Sequence, residues 1–307
     1  MITFDSQIGL YVSANKLQMV EVNYTGREYL LENVDEAYFD EQLDLVNDKE
    51  SKSIALLQAA FNEMLIRKPL RTKRAAVSLP AETFYIQQFP YDNTLIEEDI
   101  IAQFKWELGV LYPNLPIDDL VIDHFRIEKN LLLNYNNAIV VAFPRKCLKV
   151  IQNFCKKNSL YFRFADYSHF ASDKNLELIS GDFNNGWYIS VLITGNSLSL
   201  EVLLDGKPVF IKLFKEIEAQ DIVRQINIII NKSGLNIKRD IFKGMIVWGD
   251  EVSNQTLSQL EDQLRIKCLR INPFAGLSTS KALAISKYLR DRSYGFAPAA
   301  GIAYRLF

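Results

Sequence analysis

The chain has 307 residues, 49% of them apolar, 23% charged and 12% aromatic, enough to build one large core or two ordinary ones and too apolar for wholesale disorder. Thirty-five basic against 37 acidic side chains leave a formal net charge of −2, so no bulk field attracts nucleic acid or anionic lipid. No apolar run approaches the roughly eighteen residues of a membrane span.

In chain order, residues 8–12 and 17–22 flank the turn Ser13-Ala14-Asn15-Lys16 and predict a β-hairpin, with a third strand over 29–39. Ile54, Leu57, Phe61, Met64 and Leu65 recur at helical spacing over 51–67, and a short strand follows at 74–79. An extended segment, 80–90, leads to a helix from about Leu95 with Thr94 as its cap and Glu97, Glu98 and Asp99 in its first turn. Strands over 120–128 and 138–143 and a helix over 145–157 complete what reads as an inserted α+β unit, 82–160.

The polar stretch 172–186 precedes a second hairpin, 188–193 and 198–204, turning at Thr194-Gly195-Asn196-Ser197, with a third strand at 208–214. Leu10 to Leu17 laid over Val191 to Leu198 matches apolar with apolar and Asn15 with Asn196, so the chain reads as a duplicated, two-lobed α/β protein. A helix over 216–233, strands at 245–248 and 267–271 around a helix at 254–265, and two final helical stretches divided near Ser293 complete the series. The boundaries are drawn at 1–81, 82–160, 161–185, 186–214, 215–272 and 273–307.

Ala76-Val-Ser-Leu-Pro80, Phe89-Pro90, Phe104-Lys-Trp-Glu-Leu108, Tyr112-Pro113, Pro116-Ile117 and Ile122-Asp123 resemble, in order, the PilM-type proteins of type IV pilus assembly. These are relatives of the cell-division protein FtsA in the actin-like ATPase superfamily. Phe143 with Lys146, Ala165-Asp166 before Ala171, Asn272-Pro273-Phe274 and Gly301 to Arg305 extend the likeness over nearly the whole chain. The resemblance implies a duplicated actin-like (ribonuclease H-like) fold with an FtsA-like inserted subdomain. It implies a cytoplasmic protein, peripheral at the inner membrane, that holds the short tail of a PilN-like bitopic partner, with possible homodimers or polymers. By that likeness the tail's channel has walls at Leu79, Pro80, Phe89, Trp106 and Tyr112. In a helix with Phe104, Leu108 and Leu111, a tryptophan is as readily core as channel.

Actin-like ATPases hold nucleotide between one hairpin turn from each lobe, and the resemblance makes ATP and magnesium possible ligands. The turns here are poor in that chemistry: Tyr11 and Ser13 stand where the family usually has aspartate and glycine, and no acid occurs from Gln7 to Val20 or from Gly186 to Leu200. There is no Gly-Gly pair, and Gly249-Asp250 is the nearest match to the adenosine-side motif. Ser13, Asn15, Lys16, Thr194, Gly195, Asn196 and Gly249 therefore read as a vestigial nucleotide site, with ordinary turn chemistry the favoured alternative. Hydrolysis, catalytic residues and a bound cofactor are not expected.

Neither histidine, His124 or His169, has metal-ligand spacing, and no metal site is expected. Cys147, Cys155 and Cys268 form no CxxC unit and suit a reducing compartment as buried thiols. Residues 1–6 lack a secretory signal, and the sequence stops at Arg305-Leu-Phe307 without the amphipathic membrane helix that direct FtsA-like function requires. The cluster Lys68, Arg71, Lys73 and Arg74 reads as solvated surface.

Overall fold

A computed structural model of the chain describes residues 6–179, 181–218, 221–232, 239–250, 252–280, 283 and 292–305. The first hairpin forms as β1 (Ser6–Val12) and β2 (Lys16–Tyr24), continued by β3 (Tyr29–Tyr38), α1 (Glu50–Arg67) and β4 (Arg74–Leu79). Then come β5 (Tyr85–Pro90), α2 (Glu97–Leu111), β6 (Leu120–Ile127), β7 (Asn137–Pro144), α3 (Arg145–Lys157) and β8 (Tyr161–Tyr167). Two short helices, α4 (Ser168–Asp173) and α5 (Leu176–Ile179), lead into β9 (Trp187–Thr194), β10 (Ser197–Leu204) and β11 (Lys207–Phe214). The remaining elements are α6 (Ile222–Lys232), β12 (Phe242–Trp248), α7 (Asn254–Leu264), the two-residue strands β13 (Cys268–Leu269) and β14 (Ser278–Thr279), and α8 (Ala297–Tyr304). The helical stretch expected before Ser293 falls largely on residues outside those described.

The duplication is visible in the sheets. One has the order β14-β3-β2-β1-β4-β8 and the other β11-β10-β9-β12-β13: in each, an antiparallel three-strand meander is extended by two parallel strands. Even the turn register repeats, for Val12 faces Leu17 as Ile193 faces Leu198. The parallel strands are connected through helices, as parallel pairing demands. Alternation along β1 sends Ile8, Leu10 and Val12 to Leu57, Phe61 and Met64 of α1 and Ile151 and Phe154 of α3, and sends Tyr11 to α8 on the other face. In the second lobe Ile226 and Ile230 of α6 and Leu260 and Leu264 of α7 cover Ile189, Val191, Met245 and Val247.

The inserted sheet, order β5-β7-β6, carries α2 on one face, where Phe104, Ile100 and Leu108 meet Phe89, Val140 and Ala142. Its helix starts later than its sequence indicates. Ile96 is the N-cap without a side-chain bond, because Thr94 is spent in a turn, its N and Oγ1 both on Asp92 Oδ1 at 2.9 and 2.7 Å. Glu97 answers more than the helix dipole: its carboxylate lies 3.2 Å from His124 Nε2 and pairs with Arg126 across β6. α3 leaves the inserted sheet and buries its apolar face against α1.

α8 ties the molecule together. All eight of its residues are buried, and its small side chains admit close neighbours: a Cβ on Gly301 would stand 1.6 Å from the Ala171 carbonyl oxygen of α4. Gln7 Nε2 donates to the carbonyls of Ile302 (3.0 Å) and Arg305 (2.8 Å), fixing the helix to β1. Because that helix crossing leaves no room for a methyl group, Gly301→Ala is expected to cost about 3 kcal/mol, read from the urea midpoint.

Candidate functional site

The two hairpin turns face one another across a cleft of about 700 Å³ lined by Ser13, Asn15, Lys16, Thr194, Gly195, Asn196 and Ser197, with Pro80, Glu82, Lys215 and Asp250 among its other walls. Every turn residue singled out in the sequence is therefore brought to one place. Gly249 serves the cleft from behind, at φ 123°, where a Cβ would stand 2.1 Å from the Ile193 carbonyl, so glycine is required for β12 to pass the second turn. On the far side of Asp250 a smaller hollow of about 260 Å³ is lined by Gln18, Glu36, Arg270 and Tyr294 among others.

A phosphate cradle needs free backbone N–H groups aimed into the cleft. In the first turn Ser13 takes two of them: its hydroxyl accepts from Asn15 N (3.4 Å) and Lys16 N (3.1 Å), while Ser13 N donates to the Lys16 carbonyl at 3.0 Å. Lys16 is equally committed. Its side chain is 8% exposed and its ammonium lies 3.1 Å from Glu36 Oε2 in the first lobe and in contact with Asp250 of the second. Burial opposes that charge, but the two carboxylates outweigh it and the lysine pKa ends above its usual value.

On the opposite side Ser197 donates to Glu82, and Lys215 Nζ donates to the Glu82 carbonyl at 3.1 Å while sitting 4.8 Å over the Tyr85 ring. Burial lowers the Lys215 pKa. Four carboxylates reach the cleft, from Asp44, Glu82, Glu216 and Asp250. Glu82 and Asp250 each face a donor or cation of the other lobe, Asp44 accepts from the backbone N–H groups of Val46 and Asn47, and Glu82 stands where it repels phosphate from the second turn. A magnesium triphosphate would have to displace the Lys16 and Glu82 contacts to enter. Glu82 and Asp250 escaped the search for acids within the turns because they arrive from outside them, after β4 and after β12.

The expected channel residues are dispersed. Leu79 is wholly buried in the first-lobe core, Pro80 borders the cleft, and Phe89 stacks on Phe104 with ring centroids 6.1 Å apart inside the inserted unit. Tyr112 is half-buried against Tyr85 and accepts from Gln87 Nε2 at 2.5 Å. Trp106 is 66% exposed, on the outer face of α2 with Val110 and Leu111. At the junction of insert and first lobe the half-exposed Phe125 of β6 meets Phe170 of α4, 5.5 Å between centroids. Near it Asp166 pairs with Arg305, yet burial still lifts its pKa to about 6.

Cys147, Cys155 and Cys268 are free, burial raising their thiols to about 11, 12 and 12, so none is a nucleophile near neutral pH. Among the described residues no helix is long and apolar enough to cross a membrane.

Two sheets of one topology, facing hairpin turns and an α+β unit inserted in the first lobe define the actin-like ATPase fold. The sequence profile described as type IV pilus assembly protein PilM matches residues 9–239. The chain belongs to the PilM family. It is similar to a chain of the PilM–PilN type IV pilus biogenesis complex, with TM-score 0.72 and 18% identity over 97% of this chain and 98% of that one. It is also similar to a Bacteroides thetaiotaomicron protein of actin-like ATPase fold and unknown function (TM-score 0.55, 11% identity, 98% of both chains). A third similar structure is the ethanolamine utilization protein EutJ of Carboxydothermus hydrogenoformans (0.51, 8%, 98% and 90%). No curated protein matches.

Two measurements follow from these charges. Lys16→Met leaves Asp250 without its lysine and Glu36 with only Gln18 and Arg292, and with Asp250 partly exposed the expected loss is about 2–4 kcal/mol in urea unfolding, partly restored by adding Glu36→Gln. Asp166 holds its proton more tightly folded than unfolded. Its stabilising share is complete below about pH 3.8 and is lost as pH rises through 6, so Asp166→Asn should flatten the fall in stability between pH 4 and 7.

Proposed function

We propose that this chain is a non-catalytic, actin-like scaffold of type IV pilus or related secretion assembly. It works in the cytoplasm, peripheral at the inner membrane, by holding the short cytoplasmic tail of a PilN-like protein. The observation that supports the non-catalytic half is the commitment of the cleft: the N–H groups of Asn15 and Lys16 donate to Ser13, and the Lys16 ammonium joins the lobes instead of facing a phosphate. The partner half rests on family membership and on the likeness to the PilM–PilN complex. An extended tail is suited to a surface with aromatic side chains. Trp106 is the foremost candidate to touch it, since it stands 66% exposed among the described residues.

The competing reading is a nucleotide switch, favoured by the volume of the cleft, in which ATP and magnesium displace the Lys16 and Glu82 contacts and move the lobes. Calorimetry separates the two. The scaffold reading expects saturable binding of a synthetic PilN-like tail, no heat with magnesium ATP and no phosphate release; ATP turnover overturns the non-catalytic half, and absence of tail binding overturns the other. Trp106→Ala should weaken the tail at least about tenfold with an unchanged melting temperature, as for an exposed hot-spot aromatic. Unchanged affinity moves the contact to Phe125, tested by Phe125→Ala.

A further inference from the structure

Beneath the second sheet, where α4 meets β9 and β10, three ionisable side chains meet out of reach of water. His169 and Glu201 are 0% exposed and the Asp173 side chain 10%. One donor atom from each of the three lies within 4.8 Å of the others. No lysine or arginine among the described residues pairs with either carboxylate, and apart from the His169 ring and each other Asp173 Oδ2 and both oxygens of Glu201 have no hydrogen-bond partner there. Two uncompensated carboxyl groups in a dry interior are costly unless they are protonated or bind a cation.

The surroundings favour the cation. Asp173 Oδ1 accepts from both Ser190 Oγ and Trp248 Nε1 at 2.6 Å, which leaves Oδ2 as its free lone-pair donor. Because the Ser190 hydroxyl donates to Asp173, it accepts from His169 Nε2 at 2.9 Å, and the ring's lone pair stays on Nδ1, 2.7 Å from Ser199 Oγ. Nδ1 lies 3.0 Å from Glu201 Oε1, close to the edge of a coordination shell with bonds of about 2.0–2.2 Å. Serine hydroxyls and an indole N–H around a histidine and carboxylates are the outer partners that orient metal ligands.

We propose that His169, Asp173 and Glu201 bind one divalent transition-metal ion of the zinc type, which neutralises both carboxylates and pins α4 to the second sheet. The mixed nitrogen and oxygen donor set favours zinc or its first-row neighbours over calcium or magnesium. The site is separate from the cleft and stands whether or not the scaffold reading does. Spacing in the sequence conceals it, because Glu201 comes from β10, two strands beyond α4.

The test is elemental analysis of untagged full-length protein, followed by chelator stripping and titration with zinc and with cobalt(II). About one equivalent of metal is expected, with visible cobalt absorption bands and a higher melting temperature on reloading. Glu201→Gln and Asp173→Asn, with unchanged far-UV circular dichroism, should each weaken binding at least about tenfold. If a variant fails to fold, His169→Gln is read in the same titration. Stripped protein that takes up neither metal, or Glu201→Gln that binds zinc as tightly as the parent, overturns the proposal and leaves a carboxyl pair sharing a proton.

Discussion

The arrangement of the two lobes turns on one buried ammonium. Lys16 begins β2, directly after the first turn, and its charge is answered by Glu36 from its own sheet and Asp250 from the other. Glu36 is itself held by Gln18 Nε2 at 3.0 Å and by Arg292 at 3.1 Å, so a carboxylate 2% exposed at its side chain has a full set of donors. Such a network is strong only when complete, since removal of any member strands a buried charge. It sets the lobe separation with the chain's own charges, the task that phosphates and a metal ion perform in a nucleotide-filled cleft.

The contrast between cleft and insert follows from that economy. Across the cleft Lys16 meets Asp250, and Ser197 and Lys215 meet Glu82, contacts that make its walls a seam as well as a socket. On the insert the situation is reversed: the sheet and α2 satisfy one another through Phe89, Phe104 and Leu108, and the remaining face of α2 leaves an indole and two aliphatic side chains in water. Exposed apolar surface of that kind marks interaction more often than catalysis.

The fold was legible wherever periodicity reports on two neighbouring strands. Leu10 to Leu17 and Val191 to Leu198 carry the same alternation because the two hairpins have the same register, and the helices at 50–67 and 145–157 announce themselves by apolar residues on one face. Trp106, left between core and channel by its sequence, lies two residues from Phe104 and from Leu108 and so on the opposite, exposed face of α2. What stayed hidden depends on residues far apart in the chain: Glu82 against Ser197, Asp250 against Lys16, and Glu201 against His169. The parallel pairing of Ser278 and Thr279 with Leu30 and Leu31 is too short to show any pattern. Local chemistry misled at Thr94, where Asp92 offered a nearer acceptor than the helix offered donors, and at Glu216, expected to open a helix but held at φ 58° six residues before α6 begins.

The burial of α8 governs the order of folding. Residues 297–304 cover the face of the first sheet that carries Tyr11, Val20 and Leu31, and β14 adds a strand to its edge, so a lobe begun at residue 6 is roofed only after the ribosome has passed residue 304. The second sheet draws its meander and both parallel strands from residues 187–269, and α8 reaches it only through Ala297, which packs with Tyr188, Leu192, Ile246 and Trp248. The lobe that opens the chain is thus the one that leans more heavily on its last helix, and a chain folding as it is made leaves that apolar face uncovered longest.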